Sequence, residues 1–355
     1  MDETTEAVLN RGLKLLVIYD ILRRESDYAH PMPKSVLIEK LAREYGIKCN
    51  EKTLKKEMDT INSCKSIEVF QIMKGHQKCY YTDDAIFDTA ELEMLIKAVQ
   101  AAKFINRDKT DELVHRIAAI GGEHRKKLLL DSTINFNYAK TEAKNIFHII
   151  DVCSSAIHAH TKVLIKHFHL DEKRKKIYSN DGNYREISPL GFIYEDDNLY
   201  LYSFDEGVGE VRCFRVDRID AAYPTDEEIS AAAIGEISEA ESYIRRVFRM
   251  YDGDSQTVTL SFTREMCEHI YEKFGPDVRI YKDHTDKNGR EWFKITERVS
   301  VAGTFYGWLL QFGGQIRISS PSSVIEDYRN YLSKTIKTLN TDALVSEVSA
   351  GEEES

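Results

Sequence analysis

Apolar residues recur at helical spacing in the first part of the chain, which predicts an opening pair of helices. The first helix carries its apolar stripe on Leu13, Leu16, Val17, Ile21 and Leu22. It ends near Arg24, and the loop SDYAHPMP separates it from the second helix. Ser35 is expected to cap that helix, Val36–Tyr45, and Gly46 to end it.

A third helix and a hairpin follow. Asn50 is expected to cap the helix Glu51–Asn62, whose apolar positions again keep helical spacing. The runs IEVFQIM and KCYYTDD then alternate around the short turn Lys74-Gly75-His76, which predicts a β-hairpin. Three helices and a hairpin in this order predict a winged helix-turn-helix over residues 1–87.

Residues 88–150 are expected to form a helical linker, with the last helix starting near Lys140 and running towards His158. Its first helix carries a wide apolar stripe, made of Leu92, Leu95, Ile96, Val99 and Ala102. This stripe either packs between domains or forms a homodimer interface, and the pattern alone leaves both open.

Between Tyr184 and Ile219, apolar and polar residues alternate through three short runs separated by Asp/Asn-rich and Gly-rich turns. That pattern is typical of a small antiparallel sheet or barrel, which we place at residues 151–225. Residues 226–255 return to helical spacing as a helical connector. Strand and helix patterns then mix over residues 256–340, so the chain is expected to be an α+β multidomain protein ending in an α+β domain.

Charge is distributed unevenly along the 355 residues, whose formal net charge is −10. Residues 11–81 hold 14 Lys and Arg against 9 Asp and Glu, whereas residues 341–355 hold five acids and no base and are expected to be a disordered tail. A basic head on an acidic body fits a DNA-binding module. No secretory signal or membrane-spanning run is present, so we expect a cytoplasmic protein without a membrane partner.

The alternating block resembles the core of the WYL domain, which occurs in many bacterial transcriptional regulators. Arg185 and Pro189-Leu190-Gly191 match the opening strand of that family, Leu199-Tyr200-Leu201 stands where its Trp-Tyr-Leu triplet belongs, and FRVDRI up to Ile219 matches the closing strand. Residues 35–61 resemble the helix-turn-helix found ahead of WYL domains, and residues 256–340 the extension domain that follows them. The resemblance implies a small Sm-like (SH3-type) β-barrel, a homodimer formed through the linker, and a ligand-sensing function.

Six side chains of the N-terminal head are candidates for contacts with double-stranded DNA. They are Lys52, Thr53, Lys55 and Lys56 on the third helix, and Lys74 and Lys78 at the hairpin. A helix fits the major groove, and lysines there neutralise phosphates. The alternative is an ordinary solvated charged face.

Six further side chains are candidates for binding an anionic effector, either a nucleotide or a single-stranded nucleic acid. They are His167, Arg185, Tyr200, Arg212, Arg215 and Arg218. On one expected strand Arg212 and Arg218 share the parity of Phe214 and would point into the barrel. A desolvated guanidinium needs an anion, which is either an internal carboxylate or a ligand. The alternative is that Arg215 pairs with Asp217 and the tyrosines only pack.

Neither a metal site, a cofactor nor an enzymatic reaction is expected. The six cysteines form no CxxC pair, and HAHTKVLIKHFH has two HxH pairs but no interleaved Cys or acid, which favours a strand edge over a zinc site. Walker, GxGxxG, HExxH and nucleophile-elbow motifs are missing from the sequence.

These patterns and the resemblance together predict a transcriptional regulator that binds duplex DNA and responds to an anionic effector. One alternative is an accessory protein that binds RNA or single-stranded DNA directly, with no duplex operator. A further alternative is a hydrolase that uses the basic pocket on phosphodiesters. Duplex binding, single-strand binding and turnover respectively distinguish the three.

Overall fold

The structure of the chain is a computed structural model in two compact units, Met1–Lys144 and Asn145–Ser355. The residues that it describes are 3–64, 67–83, 85–131, 139–247 and 253–339. The expected tail at 341–355 lies outside these ranges. Among the described helices, none combines the length and the apolarity needed to cross a membrane.

The first unit opens with three helices and a small antiparallel sheet of order β1-β3-β2. Its elements are α1 (Glu3–Glu25), β1 (Met32–Pro33), α2 (Lys34–Tyr45), α3 (Glu51–Asn62), β2 (Val69–Lys74) and β3 (Gln77–Thr82). Apolar side chains from all three helices meet Val69 and Tyr80 of the sheet in one core. The predicted helices and hairpin are confirmed, and the pairing of β1 with β3 adds a strand where the sequence predicts a loop.

Local capping fixes the turn between α2 and α3. Gly46 adopts a φ of 65°, and its N–H donates to the Leu41 carbonyl, as a left-handed C-cap does. The Asn50 side chain accepts a hydrogen bond from the Thr53 N–H at 2.8 Å. Both predicted caps are therefore confirmed, and together they set where α3 begins.

Two helices begin elsewhere than the sequence predicts. Helix α2 starts at Lys34, directly after a proline whose φ suits a helix start, so Ser35 lies inside the first turn and makes no cap. Helix α7 (Ile146–Ala159) starts six residues beyond Lys140. The Lys140 ammonium instead donates to the carbonyl of Ala102 at 2.8 Å. Such a tertiary contact leaves no trace in hydrophobic periodicity.

A helical bundle completes the first unit. It consists of α4 (Thr89–Ala101), α5 (Arg107–Ile120) and α6 (Gly122–Asp131). Its core contains Leu92, Ile96, Val114, Ala118 and Leu129. Leu92 is 0% exposed, and in the predicted stripe only Leu95, at 41%, reaches solvent substantially. Most of the stripe therefore packs inside the first unit, whereas its use as a homodimer interface stays a prediction that rests on Leu95.

The bundle also packs directly on the helical head. Gly122 has a φ of 80°, and a Cβ at this position would lie 2.9 Å from the carbonyl oxygen of Arg24 at the end of α1. Nearby, the rings of His30 and His124 stack with their centroids 4.1 Å apart. Only glycine allows the backbone to approach this closely in this conformation.

The second unit continues from α7 into a curled half-barrel. Its strands are β4 (Thr161–Leu170), β5 (Lys176–Tyr178), β6 (Arg185–Glu195), β7 (Asn198–Asp205), β8 (Glu210–Arg215) and β9 (Ile219–Glu228). The order is β5-β4-β6-β7-β8, with β9 on β4, and all pairs are antiparallel. Helix α7 runs across the boundary that the sequence placed at residue 150.

The expected closing strand is interrupted. Strand β8 ends at Arg215, and Val216–Arg218 form a 3₁₀ turn that leads into β9. The connector expected at 226–255 starts with the end of β9 and continues with α8 (Ala231–Glu236) and α9 (Ala240–Arg246). Side chains therefore stop alternating between the two faces of a strand at Arg215, and the inward direction expected for Arg218 from this alternation does not apply.

The C-terminal part is an α+β domain, as predicted. It consists of β10 (Asp254–Thr263), α10 (Cys267–Phe274), β11 (Tyr281–Thr285), β12 (Glu291–Val301), α11 (Gly303–Leu310), β13 (Ile316–Ser320) and α12 (Ser322–Leu339). The sheet order is β11-β12-β10-β13. Side chains of α10, α11 and α12 pack on one face of this sheet and form its core.

Candidate nucleic-acid interface and effector site

One face of α3 is cationic. The exposed lysines of this helix are Lys52, Lys55 and Lys56. None of them has an ion-pair partner among the residues that the structure describes. Arg24 and Lys40 of the neighbouring helices, by contrast, are each held by a carboxylate, at 2.8 Å and 2.5 Å. The face of α3 therefore offers positive charge that the fold does not neutralise.

The remaining candidates of the head are Thr53, which lies on α3 itself, and the hairpin residues Lys74 and Lys78. Thr53 is half-buried, and its N–H is engaged by the cap of α3. Lys74 is exposed at the end of β2, next to Gly75 with its φ of 63°. Lys78 is half-buried and lies across from Met73 in the hairpin. Lys74 is thus the better placed of the two hairpin lysines for a phosphate contact.

The six effector candidates do not all face the same way. Tyr200 lies directly across from Arg215, and Ser203 directly across from Arg212. Residues across from each other share a face, and residues three apart on one strand take opposite faces. Tyr200 also packs on a cluster that includes Tyr243 of α9. Register therefore separates Tyr200 from Arg212.

Asp205, at the end of β7, organises two of the arginines. It is 0% exposed, and its carboxylate forms a hydrogen-bonded ion pair with the largely buried guanidinium of Arg185. Arg212 approaches the same carboxylate only to 3.8 Å and keeps 43% of its side chain exposed. Arg185 is therefore held by an internal acid, whereas Arg212 is held loosely and faces solvent.

Asp217 holds a third arginine. The Arg215 guanidinium donates from Nε and Nη2 to the two carboxylate oxygens of Asp217, both at 3.0 Å. Asp217 is buried, so this bidentate pair is shielded from water on the acid side. Arg218, in the same 3₁₀ turn, has no ion pair among the described residues, and its guanidinium lies 5.9 Å from the ring centroid of Phe168.

His167 lies between these groups. Its ring packs edge-on against the Phe214 ring, with the two centroids 5.3 Å apart. The guanidinium carbon of Arg185 lies 5.9 Å from the centroid of the Phe214 ring. Burial, together with the nearby charges of Arg185 and Arg218, lowers the pKa of His167 to about 4. The Ser179 hydroxyl donates to the His167 carbonyl at 3.0 Å. Nδ1 therefore donates to that hydroxyl, at 3.2 Å, and Nε2 is left without a proton.

The structure thus places His167 and Arg185 against Phe214, with Arg212 on the same face of β8 and Arg218 near His167. Tyr200 and Arg215 lie on the opposite face. The sequence reasoning did not single out Asp205, and it treated Asp217 only as the alternative partner of Arg215. One signal for Asp205 was present, because it shares the parity of the inward-facing Leu201 and Ser203 on β7.

The histidine-rich segment forms no cluster of the kind that a metal needs. Among the described residues, no group of three or more His, Cys, Asp or Glu side chains is placed to hold a metal ion. His160 occupies a left-handed position that ends α7, and the six cysteines are free thiols.

Comparison with known proteins identifies the two halves of the second unit. The WYL domain family model matches residues 148–224, and the WCX domain family model matches residues 254–336. No curated protein matches the chain. The solved structure of proteasome accessory factor B/C (PafBC) of Arthrobacter aurescens aligns over 92% of this chain with 14% identity and a TM-score of 0.28. The chain covers 48% of that protein.

Proposed function

We propose that this chain, a protein with a WYL domain followed by a WCX domain, is a cytoplasmic DNA-binding transcriptional regulator. The observation that carries the proposal is the set of exposed lysines on α3 that have no ion-pair partner in the described part of the chain, whose net charge as a whole is −10. In this proposal the WYL domain senses an anionic effector, either a nucleotide or a single-stranded nucleic acid.

The proposed DNA contact places α3 in the major groove, with Lys52, Thr53, Lys55 and Lys56 towards the DNA and the hairpin lysines on the flanking backbone. Lysines supply affinity through phosphates and carry little sequence information by themselves. A homodimer reading two half-sites remains part of the proposal, and of the α4 stripe Leu95 is the residue exposed enough to contribute to its interface. Effector binding acts by stabilising one arrangement of the DNA-binding heads.

The test of the DNA contact is a triple variant, Lys52→Ala, Lys55→Ala and Lys56→Ala. Duplex affinity should fall, and the slope of log affinity against log salt should become shallower by roughly one unit for each lysine. The helix should persist, because its core residues remain and alanine is the best helix former. Fluorescence anisotropy with labelled duplexes from the upstream region of the gene measures both quantities.

A matched control removes the same charge from the bundle of the same unit, through Lys97→Ala, Lys126→Ala and Lys127→Ala. This variant should keep the wild-type salt slope. Equal affinity and equal slope in the α3 variant and the wild type would contradict the proposal.

For the effector, the contacts favour Arg212 and Arg218 as ligand-binding groups. Arg185 and Arg215 already have buried carboxylate partners, so moving either guanidinium to a ligand would leave a buried acid without its counter-ion. Arg212 and Arg218 carry no such cost. Their guanidinium forks suit the phosphate of a nucleotide or of a single-stranded nucleic acid.

The effector test compares Arg212→Ala and Arg218→Ala with Lys173→Ala, which removes an exposed positive charge from the same domain. A charged hydrogen bond contributes about 1.5–3 kcal/mol, so each arginine variant should bind its ligand roughly tenfold or more weakly. Arg→Lys should rescue little, because an ammonium cannot reproduce the guanidinium fork. Cyclic nucleotides and labelled single strands are the probes.

Thermal melting separates binding from folding in this experiment. Arg212→Ala should melt like the wild type, whereas Arg185→Ala should melt lower because Asp205 is then buried without its partner. Lower melting temperatures of the Arg212→Ala and Arg218→Ala variants, together with unchanged binding of every probe, would show that these arginines are structural.

A further inference from the structure

A cavity of about 670 Å³ lies between the WYL domain and the helices of the WCX domain. Its walls come from the β6–β7 turn on one side and from α10, α11 and the residues that follow α11 on the other. Cavities of this size hold small organic molecules. A molecule bound here would contact both domains.

One wall of the cavity is aromatic. The rings of Trp308 and Phe312 form a T-shaped pair with their centroids 5.1 Å apart, and the ring of His269 lies 5.0 Å from that of Phe312. Phe274 packs on Trp308 in a second T-shaped contact, at 6.0 Å. Trp308, Phe312 and His269 therefore hold one another in place and form an aromatic wall of defined shape.

Carboxylates reach the cavity from two elements. Glu195 and Asp196 lie at the β6–β7 turn, where Asp196 adopts a φ of 49°. Glu272 belongs to α10, and its carboxylate lies 3.2 Å from Nδ1 of His269. The acids therefore stand on two sides of the space that the aromatic wall borders.

One ammonium group is present beside these carboxylates. Lys273 of α10 donates a hydrogen bond to the carbonyl of Val247 at 2.5 Å. Burial lowers the pKa of Lys273, and the charges of Glu195 and Asp196 act in the opposite direction. With three carboxylates against one ammonium and one imidazole, the lining is negative at neutral pH. It therefore repels a polyanion and attracts a cation.

Helix α11 leaves space for a ligand that packing does not require. Its lining residues Thr304, Gly307 and Trp308 recur at three- and four-residue spacing and so share one face. In the described part of the chain, a Cβ at Gly307 would meet nothing within 4 Å beyond its chain neighbours and its own helix. Glycine is a poor helix former. Since neither packing nor a left-handed backbone requires glycine here, its effect is to keep the cavity open.

Thr304 adds a polar group to the same face of α11. Its hydroxyl oxygen is buried and has no hydrogen-bond partner among the residues that the structure describes. Buried polar groups are nearly always hydrogen-bonded, because an unsatisfied one costs free energy. An N–H donor of a bound ligand would satisfy this oxygen.

We propose that this cavity binds an aliphatic polyamine, with its ammonium groups beside the three carboxylates and its methylene chain on the aromatic wall. An ammonium over an aromatic ring gains a cation–π attraction that strengthens where water is excluded, and methylene groups bury apolar surface on the same rings. Separate positive charges on an apolar chain complement acids that stand on two sides. This ligand has the charge opposite to that of the proposed effector, and its site uses neither Arg212 nor Arg218.

Isothermal titration calorimetry of the full-length protein with spermidine tests the site. Gly307→Phe places a ring in the cavity and should weaken spermidine binding roughly tenfold or more, because the ring and the ligand would clash. Gly235→Phe is the matched control, since Gly235 is an exposed glycine of α8 whose Cβ would also meet nothing within 4 Å among the described residues. Its affinity for spermidine should equal that of the wild type.

A second pair of variants tests the charge. Glu272→Gln should weaken spermidine binding roughly two- to fivefold, the effect of one partly exposed ion pair. Glu268→Gln is its control, because it removes an exposed carboxylate from the same helix without touching the lining. Putrescine should bind the wild type, and 1,4-butanediol, which has the same chain length and no charge, should not.

Thermal melting separates loss of the site from loss of the fold. Gly307→Phe should melt no lower than the wild type, because phenylalanine is a better helix former than glycine and enters open space. Spermidine should raise the melting temperature of the wild type and of Gly235→Phe, but not that of Gly307→Phe. If Gly307→Phe does not fold, the comparison of Glu272→Gln with Glu268→Gln decides.

Two results would overturn the proposal. One is no spermidine binding to the wild type, or binding of equal strength in both members of each pair, which would show at most a diffuse attraction to an acidic chain. The other is equal binding of putrescine and 1,4-butanediol, which would show that the carboxylates play no part. Neither result bears on the proposed DNA contact or on the arginine site, whose tests use other variants and anionic probes.

Discussion

At the residue scale, two buried acids of the WYL domain divide its arginines into two kinds. Asp205 and Asp217 are both buried, and they bind Arg185 and Arg215, whose side chains are 14% and 35% exposed. Breaking such a pair from one side costs about 3–5 kcal/mol, because it leaves a buried charge uncompensated. Arg212 has only a long contact with an acid and is the more available of the group. Availability, more than the number of arginines, decides which of them a ligand can use.

His167 makes the stability of this region depend on pH. Burial lowers the pKa of His167 to about 4, below the value of about 6.5 in an unfolded chain. Between these values the unfolded state binds more protons, so the free energy of unfolding should fall as the pH is lowered from 6.5 to 4. The full contribution of this group is about 3 kcal/mol.

Urea unfolding of the wild type and of His167→Gln across this range measures the effect. The free energy of unfolding of the wild type should fall relative to that of the variant as the pH is lowered, because glutamine does not titrate. Parallel pH profiles for both proteins would show that His167 does not bring about this dependence.

At the scale of elements, what the sequence predicts depends on how local the signal is. Gly46 and Asn50 act on their own turns, so both ends of the α2–α3 connection were predictable. The 3₁₀ turn after Arg215 was not, because FRVDRI keeps the alternation of a strand while its backbone turns towards β9. The pairing of Arg185 with Asp205 joins the beginning of β6 to the end of β7, and only the register reveals it.

The apolar stripe of α4 gives a prediction at the same scale. Leu92→Glu should destabilise the bundle by at least about 3 kcal/mol, because it places a charge in a closed core. Leu95→Glu should be nearly neutral, since that side chain is 41% exposed. Urea unfolding and light scattering of both variants test this. A folded monomer from Leu95→Glu and a dimer from the wild type would support α4 as an interface.

At the scale of the whole molecule, the chain separates the proposed reading of DNA from the proposed sensing. The candidate DNA contacts all lie in Met1–Lys144, and both the WYL and the WCX domain lie in Asn145–Ser355. Each unit has its own hydrophobic cores.

Expression of residues 1–144 and residues 145–355 as separate proteins tests this division. Each should fold and unfold cooperatively, because each buries its apolar residues internally. The first should retain duplex binding with the wild-type salt slope. Circular dichroism and anisotropy provide the readouts, and a fragment that stays unfolded alone would show that its core needs the other unit.

The close contact at Gly122 has a consequence for operators. At Gly122 the bundle packs so closely against the end of α1 that no side chain would fit between them. The head, which carries α3, and the bundle therefore form one body. Two copies of such a body on one stretch of DNA have few ways to adjust the distance between their reading helices. In the proposed homodimer, changing the spacer between two half-sites by a few base pairs should therefore weaken binding, and the range of spacers that is tolerated measures how far the two bodies can move relative to each other.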